Sequence, residues 1–147
     1  MASSPEPEDK PRRRTSNHAA AAEARDVLVR QLLEKERAAL DAYLLALADD
    51  ALLQGHRDSE WTGLGPILEE DIAFSSMAQD EIGHALVWYG LRAEHLGAPS
   101  PDAQAFERDA ALWRNATLVE QPRGDYATSL VRRTLFDIAE AVQYDGL

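Results

Sequence analysis

The stretch Glu70-Asp71-Ile72-Ala73-Phe74-Ser75-Ser76-Met77-Ala78-Gln79-Asp80-Glu81-Ile82-Gly83-His84-Ala85-Leu86-Val87-Trp88-Tyr89-Gly90-Leu91 decides how this chain folds. Steps of three and four residues pick out Glu70, Phe74, Met77, Glu81, His84, Trp88 and Leu91. These share one side of a helix and should meet a neighbouring helix. Phe74, Met77, Trp88 and Leu91 suit burial, whereas Glu81 and His84 do not. A desolvated carboxylate costs several kcal/mol unless it is paired, hydrogen-bonded or metal-bound. Two readings of Glu81-x-x-His84 stay open. It is a core-facing Glu–His hydrogen bond, or it is half of a carboxylate-bridged di-iron or di-manganese site in a helix bundle.

Upstream, residues 19–54 are rich in Ala, Leu, Glu and Arg and contain no Gly or Pro, which predicts one long helix. Its stripe reads Leu33, Leu40, Tyr43, Leu47 and Asp50. The segment from Gly55 to Gly65 reads as a break. Pro66 then suits the first turn of the second helix, with Glu69, Glu70 and Asp71 at its positive end. Gly97 and Pro99-Ser100-Pro101 should stop that helix near Leu96. A shorter helical stretch is expected from Asp102 to about Trp113, then a connector from Asn115 to Asp125. A third long helix starts near Tyr126, capped by Asp125 or Thr128. Its stripe reads Tyr126, Leu130, Thr134, Asp137, Ala141 and Tyr144. No segment sustains the two-residue alternation of a half-buried strand. The expected fold class is all-α, with three long helices and the fourth of a four-helix bundle missing.

Composition narrows the chemistry. The 147 residues suffice for one domain with a real core. The absence of cysteine excludes disulfides, thiolate zinc sites and cysteine-ligated iron–sulfur clusters. A formal net charge of −11 disfavours nucleic acid and anionic membrane as partners. Lys10, Arg12, Arg13 and Arg14 lie in a Pro/Ser/Glu-rich leader, residues 1–18, expected to be a disordered tail; residues 19–147 form the helical domain. No apolar run is long enough to span a bilayer and no secretory signal is evident, so a cytoplasmic address is expected.

Three helices carry an acid at an inward phase, giving Asp50, Glu81 with His84, and Asp137 as candidate metal ligands. Oxygen and imidazole donors without sulfur suit iron or manganese. Asp49 is the alternative to Asp50 if the helix phase is shifted, and Asp137 could instead pair with Arg133 on the surface. Glu140 falls off the stripe and is expected in solvent. Neither a nucleophile elbow nor a phosphate loop is present, so no catalytic residue is assigned.

Several strings together resemble a known family. They are Leu47-Ala48-Asp49-Asp50-Ala51-Leu52-Leu53, Gly55-His56-Arg57-Asp58-Ser59-Glu60-Trp61, and Gly65-Pro66-Ile67-Leu68-Glu69-Glu70-Asp71-Ile72-Ala73. Gln79-Asp80-Glu81-Ile82-Gly83-His84-Ala85, Arg114-Asn115, Val119-Glu120-Gln121-Pro122-Arg123-Gly124-Asp125 and Leu135-Phe136-Asp137 continue the match. Over roughly residues 25–147 the chain is similar to the structural C-type subunit of bacterial phenylacetyl-CoA epoxidases, ferritin-like members of the multicomponent oxygenases. The resemblance implies a ferritin-like up-down bundle. It further implies a scaffold that pairs with a catalytic di-iron subunit, which epoxidises the ring of phenylacetyl-CoA with electrons from a flavin and iron–sulfur reductase. No cofactor is then expected in this subunit alone. The alternative is a di-iron oxygenase component that itself activates dioxygen through Asp50, Glu81, His84 and Asp137. Pairing of two copies to close a bundle is a third expectation, since an apolar flank would otherwise be left open.

Overall fold

The computed structural model describes residues 12–146. The described residues are helical or in turns and loops, with no strand among them. Helix α1 spans Arg12–Ser59, α2 Leu68–Leu91, α3 Pro101–Phe106, α4 Thr117–Glu120 and α5 Tyr126–Asp145. A π-helical turn, Arg92–Leu96, prolongs α2, and a 3-10 turn covers Ala110–Leu112. The chain divides into two units, Met1–Ala39 and Leu40–Leu147.

In the first unit, α1 begins at Arg12 rather than near Ala19, so residues 12–18 of the expected tail are helical. Residues 1–11 lie outside the described part. The side chains of residues 23–39 are all exposed, including Val27, Leu28, Leu32 and Leu33.

The second unit holds the core. Ala48, Ala51 and Leu52 of α1 meet Ala85 and Tyr89 of α2, with Leu45, Trp88, Ala105 and Trp113 packed around them. The helix does not break at Gly55; it continues to Ser59, because Gly55 is where α2 crosses. A Cβ on Gly55 would lie 3.0 Å from the Ala78 carbonyl oxygen and 3.2 Å from Glu81 Cβ. Hydrogen bonds pair Tyr89 with Asp49 and Arg92 with Asp41. Together with the Gly55 crossing they make α1 and α2 an antiparallel pair.

Gly97, at φ 77°, terminates the helix that begins as α2, as its position before two prolines predicts. Between there and Asp125 the chain crosses over, and α5 then runs parallel to α2. The pairs Glu70–Tyr126, Glu81–Arg133 and Trp88–Tyr144 advance together along both helices. Up-down alternation thus holds for α1 and α2, and the crossover sets the direction of the third long helix. Arg132 anchors the end of the crossover, donating to the Gln121, Pro122 and Arg123 carbonyls at 3.0–3.1 Å. Asp125, not Thr128, caps α5, accepting from the Thr128 N–H at 2.8 Å.

The inward faces are rotated from the sequence expectation. On α2 the fully buried line is Phe74, Ala78, Glu81, Ala85 and Tyr89. Glu70, Met77, His84, Trp88 and Leu91 form its flank, and Glu70, His84 and Trp88 there meet α5. On α1, Leu40 and Tyr43 are exposed while Leu44, Ala48, Ala51, Gln54 and Asp58 are buried. On α5, Ser129, Arg132, Arg133 and Phe136 face inward. A second apolar line, Val131, Leu135, Ile138 and Val142, faces outward. No helix among the described residues is long and apolar enough to cross a membrane.

Candidate metal centre

Glu81 is fully buried between the long helices, as its phase requires. Its first partner is a cation carried by the chain. Arg133 Nη2 donates to Glu81 Oε1 at 2.7 Å, and Arg133 Nη1 donates to Asp58 Oδ2 at 2.8 Å. Asp58 is also buried and accepts from Gln54 Nε2 at 2.8 Å. The same guanidinium reaches Asp137 Oδ1 at 2.7 Å, one helical turn along α5. Three carboxylates therefore converge on Arg133. Burial, partly offset by Arg133, lifts the Glu81 and Asp58 carboxyls above the usual carboxylate range.

The other oxygen of Glu81, Oε2, is buried and accepts no hydrogen bond. It lies 3.6 Å from His84 Nδ1, which in turn lies 3.8 Å from Glu140 Oε1. One ligand atom from each of Glu81, His84 and Glu140 falls within 4.8 Å of the others. Glu140 is thus drawn into the site rather than into solvent; its side chain is 12% exposed and accepts from the Tyr144 hydroxyl. The rotation of α5 that buries Arg133 and Phe136 also turns Glu140 towards His84. His84 itself is half-exposed and stands edge-on to the Tyr144 ring.

The structure brings together only two of the four ligands expected from sequence, Glu81 and His84. Asp50 is half-buried on the far flank of α1. It accepts from the Ala116 N–H at 2.7 Å and from Asn115 Nδ2 at 3.4 Å. Burial raises its carboxyl, against those two bonds. Asp137 has its side chain 47% exposed and turned to Arg133. Asp49 is the more deeply buried of the adjacent acids, but it serves a different knot. It accepts from Tyr89 Oη at 2.6 Å and the Arg114 N–H at 2.8 Å, and it forms a bidentate pair with Arg108. That knot sits about two turns along α2 from Glu81.

A pair of metal ions bridged by Glu81 does not fit these residues. One Glu81 oxygen is committed to Arg133, whose fixed charge repels a cation placed beside it. Asp50 and Asp137 are both engaged elsewhere. The sequence offered Arg133 only as a surface partner for Asp137, a pair the structure contains; periodicity missed its burial against Glu81, missed Asp58, and put Glu140 in solvent. The usable signal was the surplus of acids at core phases, which demands a cation, and Arg133 lies on the same stretch of helix as Asp137.

A model of the family described as phenylacetic acid catabolic protein matches residues 27–147. The chain is also 38% identical over 98 residues to the C-type subunit of 1,2-phenylacetyl-CoA epoxidase from Escherichia coli (strain K12). That alignment covers 67% of this chain and 40% of the relative, so it takes in less than half of the relative's length. The crossover and the three long helices are those of a ferritin-like bundle, and with the family match running over most of its length the chain belongs to the phenylacetic acid catabolic protein family.

Proposed function

We propose that this chain is a scaffold component of a phenylacetyl-CoA epoxidase, pairing with a catalytic subunit that holds the di-iron centre. The observation that carries the reading is Arg133. Its guanidinium satisfies Asp58 and Glu81 in the interior, so the bundle balances its buried acids without iron. Likeness to the C-type subunit of the Escherichia coli epoxidase supports the same assignment. Ring epoxidation, the coenzyme A thioester substrate and supply of electrons by a flavin and iron–sulfur reductase belong to the complex in this reading. The outward line Val131, Leu135, Ile138 and Val142 gives the chain an apolar surface for protein contact.

The competing reading, a di-iron oxygenase component, draws its support from Glu81, His84 and Glu140. Purification with and without a catalytic subunit of such an epoxidase separates the two. A stoichiometric complex, with iron only on the catalytic partner, supports the scaffold. Failure to associate, or about two irons on the isolated chain, overturns it.

A further inference from the structure

Among the described residues, Arg92, Arg132 and Arg133 are the buried arginines. Arg92 pairs with Asp41, and Arg133 pairs with Asp58, Glu81 and Asp137. Arg132, 4% exposed, has no such carboxylate. Its hydrogen bonds go to neutral acceptors, the Gln121, Pro122 and Arg123 carbonyls and the Ser129 hydroxyl. Its Nε–H is buried and donates to nothing. Burial and the nearby Arg57 lower its pKa from the usual arginine value, against attraction from Asp58 and Glu60. Both of those acids are already held, Asp58 by Arg133 and Glu60 by Arg57. A buried cation left without its own counter-ion is costly and calls for an explanation.

Arg132 also stands in the wall of a cleft of about 170 Å³ between α4 and α5. Thr128, Val131, Arg132 and Leu135 supply one wall, at the three- and four-residue spacing of a single helix side. Leu118 and Gln121 supply the other. The remaining polar groups there are committed: Gln121 Nε2 donates to the Thr117 carbonyl, and the Thr128 hydroxyl donates to Asp125. The cleft therefore combines aliphatic walls with one unanswered positive charge. A hydrocarbon would leave that charge unmatched, and a bare inorganic anion would leave the walls unused. A comparable volume, about 150 Å³, holds a body of about six carbons.

We propose that this cleft binds a small branched aliphatic monocarboxylate, whose carboxylate answers Arg132 while Leu118, Val131 and Leu135 enclose its apolar body. The guanidinium fork suits a carboxylate in shape as well as charge. Val131 is 57% exposed, so the mouth of the cleft is open to solvent. The site goes beyond the scaffold reading and does not rest on it, because its residues all lie on this chain and binding needs no partner.

The test titrates the full, unaltered chain with isocaproate, and separately with the corresponding alcohol, at fixed ionic strength near neutral pH. Nuclear magnetic resonance reads the methyl groups of Leu118, Val131 and Leu135 and the Nε–H of Arg132. Isocaproate should shift all four and saturate with a millimolar Kd, as expected for so small a ligand. The alcohol, which brings no charge to the guanidinium, should bind about tenfold more weakly or worse. Val131→Glu places a carboxylate at the mouth of the cleft and should weaken isocaproate about tenfold or more. Ile138→Glu, on the same outward line but beyond the cleft, should leave it within about twofold. Both positions are exposed, and the measurement on the unaltered chain needs no variant to fold. No saturation at tens of millimolar, equal binding of acid and alcohol, shifts that spare Arg132, or a Val131→Glu chain that binds as the wild type does overturns the proposal. Assembly with a catalytic subunit is scored by co-purification, so failure of this site and failure of the scaffold reading are read from different measurements.

Discussion

Replacing Arg133 with methionine removes the cation from two carboxylates that have no access to water. Asp58 and Glu81 have side chains only 2% and 1% exposed, at 2.8 and 2.7 Å from the guanidinium. Asp137, half-exposed, is rehydrated and adds little. Breaking a buried pair by deleting one partner typically costs about 3–5 kcal/mol. Here two acids are stranded, but both already hold their protons more tightly than usual because of burial. Protonation caps the loss, so the lower end, about 3 kcal/mol, is expected in mildly alkaline buffer and less in mildly acidic buffer. Urea unfolding of the wild type, Arg133→Met, Glu81→Gln and the double variant gives the cycle. Removing the Glu81 charge in the Arg133→Met background should recover about 1–2 kcal/mol. A loss under about 1 kcal/mol, or strict additivity, would refute the claim that Arg133 is the interior counter-ion.

The same carboxylates set the pH dependence. Burial raises Glu81, Asp58 and Asp50, so the folded state holds more protons than the unfolded one. Their contribution is complete below the ordinary carboxylate range and is lost as pH rises through the raised values. Tm should therefore fall from mildly acidic to mildly alkaline buffer, with a shallower slope in Glu81→Gln; a Tm that climbs over that range contradicts the burial argument. Asp49→Ala should cost about 3–5 kcal/mol, because it strands Arg108, Tyr89 and the Arg114 N–H. Asp50→Ala should cost about 1–2 kcal/mol for the lost bond to Ala116, and a reversed order in denaturant midpoints would show that the wrong acid is placed in the core. Gly55→Leu should destabilise by about 1–3 kcal/mol by pushing α2 off α1; an unchanged unfolding midpoint would mean the helices do not cross there.

The order of the three long helices was legible in the sequence because Gly97, Pro99 and Pro101 stop the second and the stretch from Asp125 to Thr128 supplies a cap for the third. Burial of Glu81 followed from its place between Phe74 and Trp88. The phase did not follow. Periodicity weighs large apolar side chains, and the α1–α2 seam is built from Ala48, Ala51, Gly55, Ala78 and Ala85, whose small size allows close approach. Leu40 and Tyr43 therefore pointed to the wrong side of α1. The burial of Arg133 and Asp58 stayed hidden because ionised side chains read as surface, and it depends on partners 52 and 75 residues away in the chain. Tyr144, Glu140 and His84 likewise meet only because the crossover brings α5 alongside α2 in parallel, a fact that no local window contains.

A charge delivered on an arginine arrives with every newly made copy of the polypeptide. The cation that balances Asp58 and Glu81 is therefore translated in fixed proportion to the acids it serves, and no separate loading step has to precede their burial.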